Sequence, residues 1–301
     1  KHRACYPQNS YPNSTSKKLA IVSFCEVEKT GIVDPRTMKG FLLIDKPAGM
    51  TSHDVVDRVR ALTHERTVGH AGTLDPFATG LLIVAVGREY TSQLSKLVGL
   101  DKEYEATLRL GAKSTTGDLT GRIMNCELGI MNSQLIHNSL FVILNSFLGS
   151  QLQTPPMYSA KKIKGKKLYE LAREGKEVER KPVAITVYEL ELLQTKESQF
   201  GDSPRAGTVP KQNSPLTESP NEIHFRTRVS SGTYIRTLGE DIAKKLGTEG
   251  YLTALRRTKI GPYSITDAIP LPDTPLHPSQ FQPKLHESIS GPQSTDKIDN
   301  D

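Results

Sequence analysis

The stretch Gly69–Leu82 sets an imidazole, His70, and a carboxylate, Asp75, five residues apart among three glycines and a proline. Glycine and proline at this density bend the backbone through conformations that regular elements exclude. The bend runs directly into Leu81-Leu82-Ile83-Val84-Ala85-Val86, an apolar run with the length and composition of a buried strand, so the polar loop is anchored to the core. A carboxylate fixed in this way suits nucleophilic or electrostatic work. The same residues also satisfy a purely structural reading, in which Asp75 caps a single turn with Pro76 at its first position and Thr79-Gly80 ends it. A loop histidine such as His70 commonly serves only in hydrogen bonding.

Two further side chains stand out by position. Glu103 to Leu110 alternates, with Tyr104, Ala106, Leu108 and Leu110 on one face of a strand, so Tyr104 opens that strand at the rim of the core. Ile223, Phe225, Thr227 and Val229 alternate likewise and lead into Ser230-Ser231-Gly232-Thr233-Tyr234. Ile235, Leu238, Ile242 and Leu246 then mark an amphipathic helix. Arg236 falls in its first turn, where a cation opposes the helix dipole, and the mismatch points to a partner carboxylate or phosphate.

The elements that must hold these residues are legible around them. Gly40 to Asp45 reads as a strand, and Lys46-Pro47-Ala48-Gly49-Met50-Thr51-Ser52 as a turn in which Thr51 or Ser52 caps a helix carrying Val55, Val56, Val59 and Leu62. Thr91 to Leu100 reads as one short helix, Gly117 to Gly121 as a turn, Ser133 to Leu148 as a helix, Leu168 to Arg173 as a helix and Val183 to Leu193 as a strand.

Five of these strings resemble the motifs of the TruB family of pseudouridine synthases. They are the KPxGxTS string from Lys46, GHAGTLDPFATGLL from Gly69, Asp101-Lys102-Glu103-Tyr104, SGTYIRTL from Ser231, and the segment Leu252 to Tyr263 with Leu255-Arg256-Arg257. Thr154 to Lys162 is also close to the family pattern. The resemblance implies an α+β pseudouridine-synthase fold: a mixed, mostly antiparallel central sheet flanked by helices, with an RNA-binding cleft. It implies that Asp75 is catalytic and that Arg236 pairs with it; a guanidinium that close is expected to keep the carboxyl's pKa low. It further implies that Tyr104 packs on the target base, that Leu255 backs the base, that His70 fills the space the extruded nucleotide leaves, and that Tyr234 contributes to substrate binding. Lys46 is assigned to scaffold. The implied reaction converts the T-loop uridine of tRNA, position 55, to pseudouridine by base flipping, with no cofactor and no metal. Attack at C6 of the uracil and action at C1′ both remain open for the aspartate.

Composition fits that class. The chain has 301 residues, 36% hydrophobic and 24% charged, and a net charge of +6 that leans toward a polyanionic partner. Lys161 to Lys181 concentrates nine Lys or Arg against four Glu. No apolar run approaches the roughly 18 residues of a membrane span. Cys5, Cys25 and Cys126 are too scattered for a metal site or a disulfide framework, and read as reduced thiols. Residues 1–38 read as a disordered tail or a targeting remnant, 39–269 as the catalytic domain, 194–220 as a low-complexity disordered insertion within it, and 270–301 as a disordered Pro-rich tail without a PUA domain. The expected partner is the T-arm of tRNA, with no membrane and no obligatory protein partner, the chain acting as a monomer in the cytoplasm, or in an organelle if the N-terminal segment is a targeting remnant. The rival readings are a guide-RNA-dependent pseudouridine synthase of the Cbf5 type, favoured by the shared central motif, and a non-catalytic tRNA-binding or tRNA-folding module. Activity of the chain on naked tRNA decides against the first rival, and tight tRNA binding with no isomer formed marks the second.

Overall fold

The computed structural model describes residues 39–126, 140–159, 161–163, 165–193 and 221–271. The expectations for residues 1–38, 133–139, 194–220 and 272–301 lie outside these. In chain order the elements are β1 (Gly40–Lys46), α1 (Ser52–Thr63), β2 (Val68–Ala71), β3 (Thr79–Val86), α2 (Arg88–Thr91), α3 (Leu94–Val98), β4 (Lys102–Leu110), β5 (Ala112–Ser114) and β6 (Ile123–Asn125). After helical residues 140–145 come β7 (Gly149–Gln153), β8 (Lys162–Ile163), β9 (Lys166–Lys167), α4 (Leu168–Arg173), β10 (Val183–Leu192), β11 (Glu222–Val229), α5 (Ile235–Lys245), β12 (Gly250–Ile260), β13 (Tyr263–Ser264) and β14 (Ile269–Pro270).

One ten-stranded sheet organises the chain in the order β14-β1-β3-β12-β4-β11-β10-β7, with β13 on β12 and β2 on β3. Among the described residues, β1–β14 and β3–β12 pair in parallel and every other pairing in the sheet is antiparallel. The fold is α+β with a mixed, mostly antiparallel sheet, as the resemblance implied.

Each half of the sheet has its own apolar packing. Strand β3 is buried along nearly its whole length because α1 covers one face, through Val55, Val56 and Val59, while Leu97, Tyr90 and Tyr263 cover the other. That two-sided burial is why its sequence runs continuously apolar. In the other half, α5 lays Ile235, Leu238 and Ile242 on β4 and β11, where Tyr104, Ala106, Leu108, Ile223 and Phe225 meet them. Helix α1 begins with a capping box, Thr51 accepting from the Asp54 amide and Asp54 accepting from the Thr51 amide.

The segment read as one helix from Thr91 to Leu100 is instead two short ones, α2 and α3, joined through Ser92 and Gln93. Four bonds from Ser92 and Gln93, two side-chain and two backbone, run back onto the carbonyls of Arg88, Glu89 and Tyr90 and close the first helix there. Gly80 makes the junction of β3 with β12 possible. It has φ +103°, and a Cβ there would fall 2.3 Å from the Arg257 carbonyl oxygen.

Candidate active site

Asp75 lies in the loop between β2 and β3, and the loop is tied down from four directions. Ser52 Oγ accepts from the Leu74 amide at 2.8 Å and donates to the Leu74 carbonyl at 3.2 Å. The Gly49 amide donates to the Pro76 carbonyl at 2.8 Å, and Lys46 Nζ donates to the same oxygen at 3.4 Å as well as to the carbonyls of Pro47 and Met50. Arg257 Nη2 reaches the Gly72 carbonyl at 3.1 Å. The KPxGxTS string is therefore a cradle for the aspartate loop. Ser52→Ala removes both bonds to Leu74 in a buried setting and is expected to destabilise by about 1–3 kcal/mol, which urea unfolding will read. Asp75-Pro76 does form one turn, closed by Ala78 N to Asp75 O at 3.1 Å, but it continues into β3 and not into a helix.

Arg236 meets the Asp75 carboxylate. Its Nε lies 2.9 Å from Asp75 Oδ2 and its Nη2 3.4 Å from Oδ1. The guanidinium is 5% exposed, and its other donors go to Asp118 Oδ2 at 3.3 Å, Thr116 O at 2.7 Å and Tyr158 O at 2.7 Å. This explains an arginine in the first turn of α5: two carboxylates and two carbonyls outweigh the unfavourable dipole. Asp118 is itself fixed by Thr116 Oγ1 and by the amide and hydroxyl of Thr120.

Asp118 was read from sequence only as part of a turn. The available signal was the need of a buried arginine for more than one acceptor. Two other residues were missed. Gln153 clamps the Tyr234 backbone, accepting from its amide at 2.8 Å and donating to its carbonyl at 3.0 Å. Lys102 reaches into the same region from β4.

The expectation that Arg236 holds the Asp75 carboxyl low is reversed. Burial pushes it above the usual aspartate range; Arg236 opposes the shift, the Asp118 charge adds to it and Lys46 opposes it. Although 35% of the side chain is exposed to the cavities, the surrounding protein displaces most of the water that would solvate the charge. Lys46 is lowered to about 8, by burial first. His70 is lowered by burial and then by Arg257, so its imidazole is neutral at pH 7.

Two cavities meet at Asp75. The smaller, about 280 Å³, is lined by Asp75, Tyr104, Tyr234, Arg236 and Leu255, with Lys102, Arg257 and the Ser230–Thr233 loop completing its walls. The larger, about 650 Å³, is lined by His70, His53, Thr120, Tyr158, Tyr169 and Arg173 and shares Asp75, Ser159 and Arg236 with the first. Five of the six sequence-derived site residues thus share one cavity. His70 stands apart in the adjoining one, on strand β2 and not in the turn itself. Among the described residues, no group of three or more His, Cys, Asp or Glu is gathered where it could hold a metal ion.

A buried arginine joining two carboxylates at an aromatic-walled cavity is a site poised for charge development. Comparison with known proteins agrees with the motifs. Residues 60–235 match the model of the TruB family pseudouridylate synthase N-terminal domain, and 236–274 match that of the tRNA pseudouridylate synthase B C-terminal domain. The protein named tRNA pseudouridine synthase B from Aquifex aeolicus is 44% identical over 234 residues, 78% of this chain and 72% of that one. Its namesake from Desulfotalea psychrophila is 44% identical over 231 residues, 76% of this chain and 85% of that one. Among solved structures, a Cbf5-Nop10-Gar1 complex contains a similarly folded chain, with TM-score 0.53 and 24% identity over 85% of this chain; this chain spans 61% of that one's length. An H/ACA RNP bound to a substrate RNA containing 2′-deoxyuridine gives TM-score 0.51 and 22% identity. The chain belongs to the TruB family of pseudouridylate synthases.

Proposed function

We propose that this chain is an isomerase that converts a uridine of tRNA to pseudouridine, the T-loop uridine at position 55, working without a guide RNA or protein partner. The observation that carries the reading is the Asp75–Arg236 ion pair at the meeting point of a small aromatic-walled cavity and a wider one. The smaller cavity takes one pyrimidine ring, stacked on Tyr104 and backed by Leu255. The wider one takes the ribose and flanking backbone, with His70 beside the place the nucleotide vacates.

Taking a base out of its stack costs a few kcal/mol, and stacking on an aromatic ring returns ~1–3 kcal/mol. A loop nucleotide, already partly unstacked, shifts that balance in favour of capture. The ionised Asp75 then acts on the nucleotide at C6 of the ring or at C1′ of the ribose. Arg236 orients it through an ion-pair contact from Nε and a hydrogen bond from Nη2. The enclosed pocket keeps the detached ring in place while C5 replaces N1 at C1′. Tyr104 is the nearest candidate to receive the C5 proton.

The purified chain alone, with an unmodified T-arm hairpin carrying 5-tritiated uridine, is expected to release tritium. Release only after addition of a guide RNA, or tight binding with no release, overturns the reading. The same assay gives a pH dependence. Asp75 works as the carboxylate and its pKa is raised, so kcat should fall on acidification at a pH above the ordinary aspartate range near 3.9. An acid limb at or below that range contradicts the burial assigned to Asp75.

A further inference from the structure

We infer that Lys102 and Arg257 form an electropositive wall of the smaller cavity that stabilises the negative charge the pyrimidine ring acquires while its glycosidic bond is exchanged. The inference rests on the isomerase reading above and goes beyond it.

Lys102 precedes Tyr104 by two residues on β4 and so shares its face. It is 6% exposed, and Arg257, across the ladder from Tyr104, is 1% exposed; both line the cavity. Among the described residues, every hydrogen-bond partner of the two is neutral. Lys102 Nζ donates to the carbonyls of Val98 and Leu100 and to Ser231 Oγ. Arg257 donates from Nε to Leu81 O at 2.8 Å and from Nη2 to Gly72 O. Among the described residues, neither forms an ion pair, whereas Arg236, Arg256 and Lys259 each have a carboxylate. Asp101, the acidic neighbour of Lys102, is engaged by Arg228 at 3.2 Å.

Two buried cations side by side, with no counter-ion, cost the fold stability. Burial, reinforced by Arg257, lowers the Lys102 ammonium to about 8, with Asp101 opposing. Among the described residues, the other charged groups facing the cavity are Asp75 and Arg236, already paired with each other. Unpaired, preorganised positive charge is most effective where negative charge develops during a reaction.

The isomerisation develops it in the ring on either route. Cleavage at C1′ leaves the bond pair on N1, delocalised over N1, O2 and O4. Addition of the Asp75 carboxylate to C6 moves the C5–C6 π pair toward O4. The ring then bonds through C5 to C1′, loses the C5 proton and gains one at N1, so the product is an isomer and no other reactant is consumed. Lys102 acts through space as a positioning charge, since its donors are taken by the protein.

The test measures single-turnover pseudouridine formation on a T-arm hairpin from pH 6 to 9 for the unaltered chain, Lys102→Met and Lys102→Arg. The unaltered chain should lose rate as pH rises through about 8. Lys102→Met should lower kcat about 10- to 100-fold, with KM and RNA affinity within about twofold, and lose that basic limb. Lys102→Arg, whose guanidinium stays charged across this range, should retain most of the rate and move the limb upward. The inference is overturned if Lys102→Met changes only RNA affinity, if its kcat stays within twofold, or if the limb is unchanged in Lys102→Arg, which would assign it to Lys46. Should neither variant fold, a flat profile for the unaltered chain between pH 7 and 9 also overturns it. An unaltered chain that forms no pseudouridine at any pH would instead remove the isomerase reading itself.

Discussion

Asp75→Asn should lower the rate of pseudouridine formation on the order of 10³-fold or more, the scale reached when a group acting in the transition state is removed. RNA affinity should stay within a few-fold, because Asp75 brings negative charge to a polyanion and its loss removes no attraction. The variant should also melt no lower than the parent at pH 7. Burial raises the Asp75 pKa in the folded state, so its contribution to stability is favourable below the ordinary aspartate range and is lost as pH rises through the raised value. At neutral pH the charge is a net cost, which asparagine removes. Arg236 meanwhile keeps Asp118, Thr116 O and Tyr158 O. Thermal melts by circular dichroism check this. A drop of several degrees would show that the Asp75–Arg236 pair stabilises the fold and is not an active-site expense.

Gly80→Ala is expected to be the most damaging small substitution in the sheet. The backbone has φ +103° at this position, and the new Cβ would lie 2.3 Å from the carbonyl oxygen and 2.7 Å from the nitrogen of Arg257. Those atoms belong to the parallel pairing of β3 with β12 and cannot move aside. Strain of ~1–3 kcal/mol from the dihedral and overpacking of ~1–3 kcal/mol add to roughly 2–6 kcal/mol, comparable with the ~5–15 kcal/mol that holds a domain folded. Gly49→Ala is the control. It has φ +82° but open space where the Cβ would go, so only the dihedral strain applies. Urea midpoints of the two variants compare them directly, and equal losses would contradict the close approach at Gly80.

What could be read from sequence follows from how each element is buried. Strand β11 alternates because α5 covers one of its faces, β4 alternates in sequence although its polar face is half-buried as well, and β3 runs continuously apolar because both of its faces are covered. The aspartate loop, the α1 cap and the arginine of α5 were legible because glycine, proline and capping residues have few alternative uses. Strand β12, which joins the two halves of the sheet, was not. Its stretch contains Thr253, Arg256, Arg257 and Lys259, too polar for a central strand until their partners are known: Asp45 for Arg256, Glu103 for Lys259, carbonyls for Arg257. Register shifts at Leu252/Ala254 and Arg257/Lys259 also break its period of two. Asp118 and Gln153 were hidden for another reason. Asp118 acts on Arg236 of α5 and Gln153 on Tyr234, the residue that caps it, both far along the chain, and nothing local in their own segments marks that use.

The central question is whether a carboxylate at the junction of two cavities isomerises one uridine. Carbodiimide mapping of pseudouridine on unmodified tRNA, after treatment with the purified chain or with its Asp75→Asn variant, tests this most directly. The expected result is one new stop, at the T-loop uridine, from the unaltered chain and none from the variant. No new stop from the unaltered chain, stops scattered over other loops, or the same stop from both proteins would contradict it.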